Sequence, residues 1–119
     1  MTASGRVMVI DDDEGVREAL GLALASEGYD VQYARDGREG LEMLAGRPAD
    51  LIIVDMRMPD VDGVNFCRSY AADGGTSPVI LMSARTGRDI AADVPGVVET
   101  VSKPFDLEYL LELVARLAR

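Results

Sequence analysis

The sequence predicts an α/β domain: a doubly wound, five-stranded parallel sheet held between two helix layers. Three observations carry this. Short runs rich in Val and Ile recur, as in Val7-Met8-Val9-Ile10, Leu51-Ile52-Ile53-Val54 and Val79-Ile80-Leu81-Met82. They are too short for helices and apolar at consecutive positions, as strands buried on both faces are. Between them lie segments with apolar residues three and four apart, so strand and helix alternate from end to end, the pattern of right-handed βαβ units. The first two of these runs also stop in carboxylates, Asp11-Asp12-Asp13 and Asp55, and open α/β sheets bind ligands just beyond the carboxyl ends of their strands.

Each element has a local reason. Residues 6–10 form the first strand. Residues 14–27 form a helix with Val16, Leu20, Ala23 and Leu24 on one stripe, stopped by Gly28. Residues 30–34 give a short second strand. Asp36 and Gly37 open a helix over 37–45 with Leu41 and Leu44 facing inward, ended by Gly46 and Pro48. The third strand is 51–55. Asp62 is placed as the N-cap of a helix over 63–72, with Val64, Cys67, Tyr70 and Ala71 inward and Gly74-Gly75 as its stop. The fourth strand is 78–83, followed by a short helix at 87–93 that Pro95-Gly96 ends early. The fifth strand is 97–101. A final helix over 106–118 is capped by Asp106 and aligns Leu107, Leu110, Leu111, Val114 and Leu117.

Composition narrows the chemistry. At 119 residues the chain is expected to be one domain, with 48% hydrophobic residues to build a core without disulfides. A net charge of -9 argues against a nucleic-acid-binding face, which would cluster Lys and Arg. One cysteine, Cys67, excludes an internal disulfide and fits a reducing compartment. No apolar run reaches membrane-spanning length, so a cytoplasmic location without membrane contact is expected. The chain contains no histidine, which removes Ser-His-Asp and Cys-His nucleophiles and His-containing zinc sites. Catalysis must therefore come from carboxylates, hydroxyls, arginines and the single lysine, Lys103.

Four features share the carboxyl edge of the predicted sheet: Asp11-Asp12 after strand one, Asp55 after strand three, Ser83 after strand four and Lys103 after strand five. Converging carboxylates repel one another unless a hard cation lies among them, and an all-oxygen site that keeps several waters suits Mg²⁺. A carboxylate can attack phosphorus and become an aspartyl phosphate. An ammonium and a hydroxyl can then bind the remaining phosphoryl oxygens. Singly, each residue also has a bland reading as a turn, cap or solvent-facing residue. Asp13 faces solvent or caps the first helix. The Asp60-Val61-Asp62-Gly63 stretch lacks the acid spacing and closing Glu of a calcium loop. Cys67 is a small core residue, and Phe105 packs under the last helix.

Over nearly its whole length the sequence resembles the receiver domain of bacterial two-component response regulators, a flavodoxin-like fold. Val9-Ile10-Asp11-Asp12-Asp13, the run from Val54 and Asp55 through Met56, Arg57, Met58, Pro59 and Asp60 to Gly63, then Ser83-Ala84-Arg85 and Ser102-Lys103-Pro104-Phe105 carry the likeness. The resemblance implies Asp55 as phosphoacceptor. It implies Mg²⁺ as cofactor, held by Asp11, Asp12, Asp55 and the backbone carbonyl of Arg57. Ser83 would be the switch hydroxyl, Lys103 would pair with the acids or the phosphoryl group, and the Lys103–Pro104 peptide would be cis. The donor would be a phosphohistidine on a sensor histidine kinase or a histidine phosphotransfer protein, and the recipient of the signal a downstream protein or output domain. Such a chain is not an enzyme beyond its own phosphorylation and dephosphorylation. It departs from the family at Thr100, where receivers carry an aromatic residue or histidine. A receiver-shaped binding module independent of phosphorylation is the competing reading. A phosphatase is disfavoured, because Arg57 stands where such enzymes need a general acid.

Overall fold

The structure, a computed structural model, describes residues 5–58, 61–83, 94–103 and 105–118. The helix expected at 87–93, the Lys103–Pro104 peptide bond and the motif residues Pro59, Asp60, Ala84 and Arg85 lie outside the described residues. In chain order the elements are β1 Arg6–Ile10, α1 Glu14–Ser26, β2 Asp30–Ala34, α2 Gly37–Gly46, β3 Leu51–Asp55, α3 Gly63–Ala72, β4 Val79–Ser83, β5 Val97–Ser102 and a last helix, α4, Leu107–Leu117.

The five strands form one parallel sheet in the order β2-β1-β3-β4-β5. The chain steps outward from β1 to β2, then crosses back past β1 and proceeds the other way through β3, β4 and β5. Neighbouring β1 and β3 are therefore the place where the winding reverses, which opens a crevice beyond their carboxyl ends. The register pairs Ile10 with Val54, so Asp11 and Asp55 leave the sheet side by side.

Alternation along the three inner strands builds two cores. Val7, Val9, Leu51, Ile53, Ile80 and Met82 face α1 and α4, meeting Leu20, Leu24, Leu110, Leu113 and Val114. Met8, Ile10, Ile52, Val54, Val79 and Leu81 face the other way, meeting Leu44, Phe66 and Cys67 of α2 and α3. A period of two on the strands feeds both layers at once. Each fully buried Leu or Ile contributes about 1.5–3 kcal/mol relative to exposure. The edge strands β2 and β5 are only part-buried, so the continuous apolar runs belong to the three inner strands.

Helix ends follow local chemistry. The Asp13 carboxylate caps α1, accepting from the N–H groups of Gly15 and Val16. Asp36, Asp62 and Asp106 cap α2, α3 and α4 in the same way. Asp106 thus precedes α4 as its cap and is not its first helical residue. Gly28, at φ 99°, turns the chain out of α1 in the left-handed region that glycine tolerates. Two helix faces differ from the sequence reading. Leu113 is buried in α4 while Leu107 is 39% exposed, because α4 begins at the rim of the sheet. In α3, Phe66 is fully buried and Ala71 is exposed, which rotates the inward stripe by one position.

Candidate functional site

The acidic residues meet because β1 and β3 end together. Asp11 follows β1 directly and is fully buried, and Asp55 closes β3 at 7% exposure. Asp12, one residue on, is exposed. Each of Asp11, Asp12 and Asp55 offers a carboxylate oxygen within 4.8 Å of the others. The group is thus closed by protein on two sides and open to solvent at Asp12, and such a cluster could hold a divalent metal.

Lys103 enters from the far side. It follows β5, and its N–H donates to the Ser83 carbonyl at 2.7 Å, which ties the end of β5 to the end of β4. From there the side chain crosses β4 and places Nζ 3.0 Å from Asp11 Oδ2 and 3.1 Å from Asp55 Oδ1. Ser83 ends β4 opposite Ser102 and is 5% exposed. Beside it, Asp55 pairs in register with Met82, whose carbonyl accepts the Met56 N–H at 2.8 Å. Arg57 lies two residues past Asp55, on a stretch that with Asp12 and Asp62 lines an open hollow of about 500 Å³.

The electrostatics follow from crowding. Burial pushes the Asp55 carboxyl above its ordinary range, the Asp11 and Asp12 charges push it further, and the hydrogen bond and charge of Lys103 pull it back only in part. Burial works against the Lys103 ammonium, but its hydrogen bonds and charge attraction to Asp11 and Asp55 outweigh this and raise its pKa. One lysine thus neutralises part of a pocket of three acids, and the remaining negative charge favours a cation. All offered ligand atoms are oxygens, with one side open for water, a donor set that fits a hard cation such as Mg²⁺.

Two supporting residues were given no role at the site from sequence. Gly63, the first residue of α3, stands so close to β3 that a Cβ there would lie 2.6 Å from the Asp55 carbonyl oxygen and 2.8 Å from Met56 Cα. Its N–H donates to the Met56 carbonyl at 2.9 Å, which closes the loop after Asp55. Arg17, in the first turns of α1, donates from Nη1 to the Asp11 carbonyl at 2.7 Å. Glycine directly after a cap was a visible signal for the first; nothing in the spacing of Arg17 announced the second.

Comparison with known proteins identifies the family and the fold. Residues 7–115 match the response regulator receiver domain family. The chain is 37% identical over 116 residues to response regulator MprA of Mycolicibacterium vanbaalenii, covering 96% of this chain and 50% of that protein. It is 38% identical over 118 residues to response regulator MprA of Mycobacterium ulcerans, covering 98% and 51%. The chain spans about half the length of these curated relatives. Among solved structures, the Francisella response regulator 1452 receiver domain superposes with a TM-score of 0.89 at 27% identity, covering 96% of each chain. Chemotaxis protein CheY4 of Vibrio cholerae gives 0.89 at 28% identity, covering 97% of this chain and 99% of that one. Among the described residues no helix is long and apolar enough to cross a membrane. Fold, acid cluster and similarity converge: the chain belongs to the response regulator receiver domain family, whose members take a signal from a kinase or other phosphodonor and relay it to an output partner.

Proposed function

We propose that this chain accepts a phosphoryl group on Asp55 from a phosphohistidine of a separate kinase or phosphotransfer protein, with Mg²⁺ held by Asp11, Asp12, Asp55 and the backbone carbonyl of Arg57. The observation that carries the reading is the bridge from Lys103 Nζ to both Asp11 and Asp55, beside a third carboxylate. A lysine shared by two buried acids holds the Asp55 carboxylate at the mouth of the pocket and keeps a positive charge at hand.

In this reading an Asp55 carboxylate oxygen forms a bond to phosphorus as the phosphorus–nitrogen bond of the donor breaks, and the released imidazole nitrogen keeps the electron pair. These 119 residues contain no histidine, so the donor lies outside them. Bound Mg²⁺ would supply charge neutralisation where negative charge gathers on the transferring group. Lys103 then exchanges part of its bond to Asp55 for a phosphoryl oxygen, and the Ser83 hydroxyl donates to another. The product carries about -1.5 to -2 charges where there was one. That redraws the hydrogen bonding at the ends of β4 and β5, from which the change passes to an output partner. Moving a two-state element from about 1:99 to 99:1 takes roughly 5.5 kcal/mol, so a few new hydrogen bonds produce a partial shift.

Incubation with Mg²⁺ and a small acyl phosphate, followed by intact-mass measurement, tests the proposal. One added phosphoryl group, absent without Mg²⁺ and absent in Asp55→Asn, is expected. No mass gain in the unaltered chain would leave a receiver-shaped module that binds partners without phosphorylation.

A further inference from the structure

We propose that Arg17 is a positioning residue for the metal-binding acids, fixing the Asp11–Asp12 peptide so that the Asp12 carboxylate joins those of Asp11 and Asp55. The inference rests on the Mg²⁺ reading of the acid cluster.

Asp11 is held at each of its polar groups. Its N–H donates to the Ala34 carbonyl at 3.2 Å. Its Oδ1 accepts from the Asp13 N–H at 2.9 Å, and its Oδ2 accepts from Lys103 at 3.0 Å. The carbonyl takes the Arg17 guanidinium at 2.7 Å, a charge-assisted bond at the short end of the range. That carbonyl matters because it shares one rigid plane with the N–H of Asp12. Fixing its direction fixes the direction in which the chain enters Asp12. Asp12 is exposed, and its side chain makes no hydrogen bond among the described residues. Its place in the cluster is therefore set through its main chain.

Arg17 is itself anchored. Its N–H donates to the Asp13 carbonyl at 3.1 Å, and the Asp13 side chain caps the same turn. The strand end, the cap and the guanidinium thus form a closed brace around Asp11 and Asp12. The half-buried arginine has little freedom to leave it. A planar fork on a long stem reaches back from helix to strand in a way that a shorter side chain does not.

Positioning and simple charge predict opposite signs. A guanidinium near the pocket repels a dication, so if its charge were all that mattered, removing it would tighten Mg²⁺ binding. If its role is to orient the acids, removing it weakens binding, by about 10-fold or more as for other residues that hold metal ligands in place. Calorimetric titration of the chain with Mg²⁺ alone, comparing the unaltered protein with Arg17→Met and Arg17→Lys, decides between them. Arg17→Met keeps the apolar stem and is expected to bind Mg²⁺ about 10-fold more weakly. Arg17→Lys is expected to fall between it and the unaltered chain. Affinity equal to or tighter than that of the unaltered chain in Arg17→Met overturns the proposal. Should circular dichroism show that variant unfolded, Arg17→Lys decides alone, and affinity at or above the unaltered value refutes it. An unaltered chain that takes up no Mg²⁺ overturns the metal reading itself, and the role of Arg17 with it.

Discussion

Lys103 and Asp11 are 92 positions apart in the chain, yet Lys103 Nζ lies 3.0 Å from Asp11 Oδ2. The lysine starts at the end of β5 and spans β4 to reach acids on β1 and β3, so one ion pair reports on the alignment of four strand ends. Its second contact, 3.1 Å to Asp55 Oδ1, makes it the counter-charge of a fully buried carboxylate and a nearly buried one.

Removing that counter-charge leaves two carboxylates facing each other in a poorly solvated place. Lys103→Gln is expected to destabilise the metal-free chain by up to about 3–5 kcal/mol, the range for breaking a buried pair, with the quarter-exposed lysine placing it at the lower end. Under the proposed Mg²⁺ reading the ion would supply the missing positive charge, so saturating metal should narrow the gap. Urea unfolding with and without Mg²⁺ measures both; a loss that is the same in each condition contradicts the idea that Lys103 screens the cation site.

Asp55 carries a cost at neutral pH. Its carboxyl is raised above the ordinary 3.8, first by burial and then by the Asp11 charge. The folded chain therefore holds the proton to higher pH than the unfolded chain does. The favourable contribution is complete below 3.8 and is lost as pH rises through the raised folded value. Asp55→Asn should consequently melt higher than the unaltered protein at neutral pH in chelator, and the difference should shrink on acidification. A variant that melts lower at neutral pH counts against this account of the site.

At Gly63 the obstacle to a methyl group is backbone, which cannot turn aside. Gly63→Ala should push α3 away from β3, costing about 1–3 kcal/mol and weakening Mg²⁺ binding as the Asp55 loop shifts. Gly46, at the end of α2, has nothing within 4 Å of the place a methyl group would occupy, so Gly46→Ala should be neutral or stabilising by up to about 1 kcal/mol. Paired urea titrations check the contrast, and equal effects at the two glycines would contradict it.

Cys67 is buried against the α2–α3 side of the sheet, and burial pushes its thiol up to about 11 from 9.0. Alkylation of the folded chain should be slower than of the urea-unfolded chain by orders of magnitude, since attack needs both exposure and the thiolate. Because the folded pKa is raised, this thiol also contributes stability that is intact below 9.0 and declines as pH rises toward about 11. Cys67→Ala should soften that alkaline decline. Rapid labelling under native conditions would show that the helix–sheet interface opens readily.

Much of this protein was written locally. The Val and Ile runs of β1, β3 and β4 are apolar at every position because each side serves a different core, so strand identity needed no partner to be read. Asp36, Asp62 and Asp106 before their helices, and Gly28 after α1, act on backbone groups within three or four residues, and such interactions are visible in sequence. The chemical types that meet at the strand ends, three acids and the single lysine, were equally legible.

Position across elements was another matter. Phe66 replaced Ala71 on the buried face of α3, and Leu113 joined α4 in place of an exposed Leu107, because a helix's rotation is fixed by the sheet it lands on and not by its own periodicity. The tightness of Gly63 against Asp55, the grip of Arg17 on the Asp11 carbonyl and the reach of Lys103 to two acids depend on strand order and register. Those are properties of the closed sheet: parallel pairing brings together residues that sequence holds tens of positions apart, and only that pairing sets ångström distances between them.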